Sequence, residues 1–162
     1  MRALTVAIVL MLVAGCSDPV QQPGATRWTP PGTQAPGDAR WPDRVQVDHD
    51  SGTLAAPGFN ALVDSAAPGW ASAPDTTAAE LLALNNGFDG PVEVYLHQET
   101  DKGEAVVTVT LTRLGDDSVK AMRYRVVFDR GDDGRYRFVS GKRTTRCQSG
   151  RGHQTFETSL CS

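Results

Sequence analysis

The most regular pattern in the C-terminal half of the chain is an alternation of apolar and polar side chains. It occurs in four stretches, which read PVEVYLHQ, EAVVTVTLT, KAMRYRVVFDR and GRYRFVSGKRTTR. A period of two is typical of a strand with one buried face. The glycine- and aspartate-rich segments between the stretches are too short for crossover helices, so the sequence predicts an antiparallel meander.

Two patterns upstream of the strands have the spacing of helices. Apolar side chains three, one and three residues apart extend from Phe59 to Ala66, and a Pro-Gly pair follows as a stop signal. In APDTTAAELLALNNG, Asp75 or Thr76 can cap a helix that the Asn-Gly pair ends. The predicted fold class is therefore α+β, with an approximately four-stranded antiparallel meander sheet packed on one or two N-terminal helices.

The N-terminus has the composition of an export signal followed by a spacer. Arg2 precedes an apolar run, residues 3–13, that is too short to span a bilayer as a helix. Residues 17–40 contain five prolines and three glycines with hardly any aliphatic side chains, so they cannot bury enough surface to offset chain entropy. We expect a disordered Pro/Gly-rich tether over residues 16–40 and a single small α+β domain over residues 41–162.

The four residues VAGC at positions 13–16 resemble the lipobox of bacterial lipoproteins. The resemblance implies that residues 1–15 are a lipoprotein signal peptide and that Cys16 becomes the acylated N-terminus. Several acyl chains make a stable membrane anchor, at about 0.8 kcal/mol for each buried methylene. The expected location is therefore the bacterial cell envelope, with the protein lipid-anchored on the extracytoplasmic side of a membrane.

The segment RCQSGRGHQTFETSLC, residues 146–161, holds the two remaining cysteines. Thiols tend to oxidise outside the cytoplasm, so we expect a disulfide between Cys147 and Cys161 that closes the C-terminal loop. Zinc bound by both cysteines and His153 is an alternative, but three ligands at this spacing match no tight ligand pair. A nucleophilic cysteine with His153 as base would need one free thiol. We therefore predict a structural loop without metal or cofactor.

The stretches LGDDSVKAMRYRVVF and RCQSGRGHQTFETSLC resemble the C-terminal half of an uncharacterised group of exported bacterial proteins. Proteins of that group carry a similar Asp-Asp-Ser-Val…Arg-Tyr-Arg run and a Cys-x-x-Gly-Arg-Gly-His-Gln…Cys ending. The resemblance covers roughly residues 104–161, and it implies a shared fold and a shared disulfide. It implies no activity.

Charge is distributed unevenly along the chain, whose net charge is −3. Residues 17–112 contain 4 Lys and Arg against 13 Asp and Glu, whereas residues 113–162 contain 11 against 6. The strand assignment places Arg123 and Arg125 on one sheet face. Arg135 and Arg137 lie on the next strand across a hairpin turn, where cross-strand side chains can be neighbours.

These four arginines, together with Arg151 and His153 in the loop, are the candidate anion-binding residues. Such a surface can bind a phospholipid headgroup, a cell-wall polymer or an acidic protein partner. The alternative is a solvated face whose charges neighbouring carboxylates neutralise. A nucleic acid is not an expected partner, because the compartment is wrong and the mature chain is negatively charged.

Motifs of common catalytic sites are absent from the sequence: there is no Gly-x-Ser-x-Gly, no His-Glu-x-x-His and no phosphate-cradling loop after a strand. The sequence therefore predicts a lipid-anchored cell-envelope protein with a non-catalytic ligand- or partner-binding domain. The alternative hypothesis is a small enzyme acting on envelope polymers, with His153 as acid or base and Arg151 holding the substrate.

Overall fold

The structure is a computed structural model that describes residues 23–29 and 38–162. It confirms the α+β class: helices pack on a five-stranded antiparallel sheet, next to a two-stranded hairpin. The helices are α1 (Phe59–Ala66) and α2 (Pro74–Leu81). The strands are β1 (Thr26–Arg27), β2 (Gln46–Val47), β3 (Leu54–Ala55), β4 (Glu93–Asp101), β5 (Glu104–Thr112), β6 (Val119–Arg130) and β7 (Tyr136–Cys147).

Strands β4 to β7 form the predicted antiparallel meander, and the strand order of the sheet is β1-β4-β5-β6-β7. Apolar side chains of one face are fully buried, as Val107 on β5 and its direct partner Val126 on β6 show. They belong to the same hydrophobic core as Phe59 of α1 and Leu81 of α2. Burial of each such side chain contributes about 1.5–3 kcal/mol, so this core holds the helices to one face of the sheet.

Helix α2 differs from its prediction at both ends. It begins at Pro74, so neither Asp75 nor Thr76 is the N-cap residue. Proline suits the first helical turn, because the N–H that it lacks would have no intrahelical partner there. The helix ends at Leu81, and Ala83, with a φ of 55°, turns the chain away before the predicted Asn-Gly stop.

The predicted tether is ordered in the part that the structure describes. Within residues 23–29, β1 pairs with Tyr95 and Leu96 on β4, and the N–H of Trp28 donates to the carbonyl of Val94 over 2.8 Å. An edge strand offers backbone hydrogen bonds to any extended segment, so this pairing needs no apolar pattern. The prediction of disorder over residues 16–40 is therefore wrong for β1.

The folded domain also begins before residue 41. The indole N–H of Trp70 donates to the carbonyl of Ala39 over 2.7 Å, and the N–H of Gly69 donates to Asp38 over 3.1 Å. The predicted signal peptide, residues 1–15, and Cys16 lie outside the described residues. Within the described ranges, no helix is long and apolar enough to cross a membrane.

Three different segments cover the outer edge of β7. The side-chain amide of Asn60 exchanges two hydrogen bonds with the backbone of Phe138, at 2.8 and 2.9 Å. The carbonyl of Gly52 accepts from Arg143, and Glu157 exchanges two backbone hydrogen bonds with Thr145 at 2.7 and 2.9 Å. Covering an edge in this way removes a template for unwanted strand pairing.

Candidate functional site

The face of the sheet opposite the hydrophobic core carries a group of four cations near the C-terminal end of β7. The register of β6 and β7 pairs Arg123 with Thr144 and Arg125 with Lys142, and the same face continues to the pair of Ala121 and Arg146. Residues directly opposite each other in an antiparallel pair project to the same side. We call the surface formed by these cations the basic face: Arg123, Arg125, Lys142 and Arg146.

Arg125 and Lys142 are the two exposed cations at the centre of the basic face. Directly opposed side chains of like charge destabilise a strand pair. In the described part of the chain, neither of them forms an ion pair with a carboxylate. The repulsion between them is therefore not relieved by a neighbouring side chain of the described domain.

Acidic side chains of the same sheet face lie on β4, on the other side of β5. Glu93 pairs there with Arg27 at 3.5 Å and with Arg113 at 3.4 Å. Between this acidic strand and the basic face, β5 presents Thr108 and Thr110. The face is thus electrostatically divided, with its positive half on β6 and β7.

Arg123 is held in place on the basic face by two neighbours. Its Nε donates to Oγ1 of Thr110 over 3.3 Å, and its guanidinium carbon lies 3.7 Å from the ring centre of Phe156, which comes from the C-terminal loop. Partial burial lowers the pKa of Arg123 from its usual value, but a guanidinium remains charged at physiological pH. The contact with Phe156 is a cation–π interaction.

Arg146 completes the basic face at its C-terminal end. Its side chain is half-buried, and within the described residues its Nε has no hydrogen-bond partner. A buried donor without a partner costs free energy. Arg146 therefore adds both positive charge and an unused donor close to Arg123.

Arg135 and Arg137 are not neighbours of Arg123 and Arg125, as the sequence suggested they could be. Arg137 lies opposite Asp129, four residues along β6 from Arg125, which corresponds to about 13 Å. Arg135 lies in the turn before β7 begins. A register shift also lies between Val127 and Phe128, and the alternation of the sequence does not reveal it.

Arg135 and Arg137 are neutralised by carboxylates at the turn. Arg137 donates to both carboxylate oxygens of Asp133 at 2.9 Å and to Asp64 of α1 at 2.7 Å. Arg135 lies 3.3 Å from Asp133. The hydrogen bonds from Arg137 hold the pKa of Asp133 well below its usual range, and those from Asp133 and Asp64 raise the pKa of Arg137. In this arrangement the two arginines stabilise the turn, and Arg137 also connects it to α1.

The C-terminal loop is closed by the predicted disulfide. Cys147 at the end of β7 is bonded to Cys161, with 5.4 Å between their Cα atoms. The ligand atoms of Cys147, His153 and Cys161 lie within 4.8 Å of one another. Because the sulfur atoms are bonded to each other, they are not the thiolates that zinc requires.

His153 and Arg151 do not converge on a common pocket. Nδ1 of His153 lies 2.9 Å from the carbonyl oxygen of Thr155, and Nε2 lies 3.0 Å from that of Ser159. Arg151 is exposed and pairs with Asp117 at 3.4 Å. The ring of His153 therefore contacts the backbone of its own loop.

The pattern of the sequence did not identify Glu80 as a buried residue. Glu80 is only 7% exposed on α2, and one of its carboxylate oxygens accepts from the N–H of Trp41 over 3.0 Å. It lines a cavity of about 270 Å³, together with Arg40, Arg44 and Asn85. A glutamate inside the run AAELLAL was the available signal. Its hydrogen bond to Trp41 ties the N-terminal segment to α2.

No model of a known protein family matches the chain, and no curated protein or solved structure matches it either. The functional argument therefore rests on the chemistry of the basic face and of the loop beside it.

Proposed function

We propose that this chain is a lipid-anchored cell-envelope protein whose single domain binds an anionic ligand or partner through the basic face, without catalysing a reaction. The observation that carries the proposal is the direct opposition of Arg125 and Lys142, both exposed and both without an ion pair in the described domain. The VAGC sequence at Cys16 supports the anchor.

An anion bound between the two strands would relieve the repulsion between the opposed cations. Arginine can offer two parallel N–H donors to a phosphate or carboxylate, and lysine adds a mobile point charge. The flanking side chains of Arg123 and Arg146 extend the positive potential along the strands. The chemistry expected of the ligand is therefore a phosphate- or carboxylate-bearing group on an envelope lipid, polymer or protein.

The geometry gives no support to an enzyme that uses His153 and Arg151. Both ring nitrogens of His153 face backbone carbonyl oxygens, so neither is placed to exchange a proton with a substrate. His97 lies on β4, separated from the loop by β5 and β6, and contacts Glu99. His97 is therefore not placed to act as a second titratable group beside His153 in an acid–base mechanism.

The proposal is tested with the full mature protein in a neutral detergent, by titration with a soluble polyphosphate. R125Q/K142Q removes the central pair, and K102Q/R113Q removes the same charge from turns outside the basic face. We expect the first variant to lose about tenfold in affinity, because it removes two exposed ion pairs with the ligand, each of which contributes roughly 0.2–1 kcal/mol. The control should change less than twofold.

Equal losses in the two variants would mean that net charge alone attracts the polyphosphate, and the basic face would lose its proposed role. A second titration, with phosphatidylglycerol doped into the micelles, distinguishes a lipid headgroup from a soluble phosphate polymer as the source of the anion. The anchor is tested separately by labelling cells with a fatty-acid analogue. Wild-type protein should incorporate the label and C16S should not.

A further inference from the structure

His153 lies between two backbone carbonyl groups of its own loop. The oxygen of Thr155 is 2.9 Å from Nδ1, and the oxygen of Ser159 is 3.0 Å from Nε2. A carbonyl oxygen can only accept a hydrogen bond, so each ring nitrogen must donate one. Only the protonated imidazolium carries a proton on both nitrogens. A neutral ring would leave one nitrogen lone pair directed at a carbonyl oxygen.

These two carbonyls bracket the segment that carries Phe156. Thr155 precedes Phe156, and Glu157 follows it and exchanges backbone hydrogen bonds with Thr145 on β7. The Phe156 ring rests on the guanidinium of Arg123, 3.7 Å from its central carbon. The position of the histidine ring is thus coupled through a few backbone bonds to a side chain on the basic face.

With the loop in this position, Arg123 is turned toward the sheet. Its Nε donates to Thr110, and Phe156 covers one face of the guanidinium. Arg125 and Lys142 remain exposed beside it. A closed loop therefore withholds one cation of the basic face from an anion that binds to the other two.

We propose that protonated His153 latches the C-terminal loop so that Phe156 acts as a lid over Arg123, and that loss of this proton releases the lid. The latch follows from the geometry of the loop alone. Its effect on ligand affinity rests on the anion-binding function proposed above.

The surroundings of the ring favour its charged form. The hydrogen bond with the Thr155 carbonyl raises the pKa of His153 most, and the Ser159 carbonyl and the nearby Glu157 carboxylate raise it further, while partial burial opposes them. Arg151 is paired with Asp117, and the disulfide at the end of β7 does not titrate. Val119 and Gln148, where β6 and β7 meet the loop, carry no ionisable group.

The sign of the pH dependence follows from the raised pKa. Protonation orders the loop fully below the ordinary histidine value of about 6.5. The ordering is lost as the pH rises through the higher value of the folded protein. The lid should therefore be closed in mildly acidic conditions and released in alkaline conditions.

The latch is tested by NMR on the full mature protein, by following the ring signals of His153 and Phe156 from pH 5 to pH 9. Both should titrate with one midpoint above 6.5 in the wild type. In H153Q, whose neutral side chain does not titrate, the Phe156 signals should be independent of pH. H49Q, which removes a histidine in the β2–β3 turn, is the matched control and should leave the Phe156 titration unchanged.

Intact mass under non-reducing conditions establishes that the disulfide is present in each variant, so a misfolded loop is recognised. E157Q should lower the common midpoint, because it removes the negative charge next to the ring. A wild-type Phe156 signal that does not respond to pH, or one that still titrates in H153Q, would overturn the latch.

The lid is tested by comparing F156A with the wild type in polyphosphate titrations at pH 5.5 and pH 8.5. At each pH, the affinity of F156A is divided by that of the wild type, which cancels the effect of pH on polyphosphate itself. We expect F156A to bind about threefold more tightly at pH 5.5, which corresponds to one weakened contact, and equally at pH 8.5. Weaker binding by F156A at both pH values would show that Phe156 contacts the ligand, and would overturn its role as a lid.

Absence of polyphosphate binding in every variant would reject the anion-binding function while leaving the NMR result as the measure of the latch.

Discussion

The two ends of the β6–β7 hairpin carry similar numbers of cations in very different settings. At the turn, Arg135 and Arg137 are surrounded by the carboxylates of Asp133 and Asp64. At the other end, Arg125 faces Lys142, and the described residues provide neither with a carboxylate partner. Counting arginines along the strands therefore does not locate an anion site, whereas the placement of nearby carboxylates does.

The two ends are also tied to the rest of the domain by different interactions. The turn is held by ion pairs, one of which reaches α1 through Asp64. At the open end, a covalent tie, the disulfide between Cys147 and Cys161, joins the C-terminal loop to the end of β7.

The largest expected effect comes from removing the covalent tie. C147S/C161S should lower the free energy of unfolding by about 3 kcal/mol, the amount that the chain-entropy treatment assigns to a loop of this length. Urea denaturation measures the loss. Hydrogen exchange should accelerate near Val119 and Cys147 and remain slow near Arg130 and Tyr136. Equal acceleration at the two ends would show that the disulfide does not act locally.

The second largest effect is a difference between the two ends of the hairpin in how much their cations contribute to ligand affinity. R125Q/K142Q should lose about tenfold in polyphosphate affinity, or about 1.4 kcal/mol, since it removes the uncompensated pair. R135Q/R137Q removes the same formal charge at the turn, where carboxylates already neutralise it, so its affinity should change less than twofold. Isothermal titration at fixed salt measures both. A larger loss in R135Q/R137Q would reverse the assignment of the binding end.

The contrast between the ends shows what the sequence could predict. Alternation identified the buried partners Val107 and Val126 and hence the meander, because a period of two determines which side chains share a face. It also placed Arg123 and Arg125 together. It could not reveal the register shift at Val127, which depends on the pairing of two strands.

Contacts between residues distant in the chain were also beyond the pattern. Asp64 lies 73 residues from Arg137 in sequence, and their ion pair exists only after α1 has packed on the sheet. The cation–π contact of Phe156 likewise depends on the path of the loop after β7. The disulfide was predictable, because the cysteine content and the predicted export signal limit the alternatives without any knowledge of packing.

A third, smaller effect comes from giving the open end the carboxylate that it lacks. K142E places an acid directly opposite Arg125, and an opposite-charge pair across strands contributes roughly 0.2–1 kcal/mol. The variant should be slightly more stable than the wild type in urea, and it should bind polyphosphate less well than R125Q/K142Q does. K102E is the control, because it makes the same charge change in a turn outside the basic face. A loss of stability in K142E alone would mean that Arg125 and Lys142 are not close enough to repel each other.

The smallest effect concerns the pH dependence of the compensated end. The pKa of Asp133 is lowered chiefly by its hydrogen bonds with Arg137, so its contribution to stability is present above the ordinary carboxylate value of about 4. That contribution is lost as the pH falls below this value toward the lower pKa that Asp133 has in the folded protein. D133N should therefore be slightly less stable than the wild type at pH 7. In strong acid, the difference in stability between the two proteins should become smaller. Because the pair is exposed, salt should weaken the effect.

D132N, which changes the neighbouring aspartate of the turn, is the control and should show neither change. Thermal melts from pH 2 to pH 7 distinguish the two variants. If D133N and D132N behaved alike, the carboxylates would not be what distinguishes the turn from the basic face.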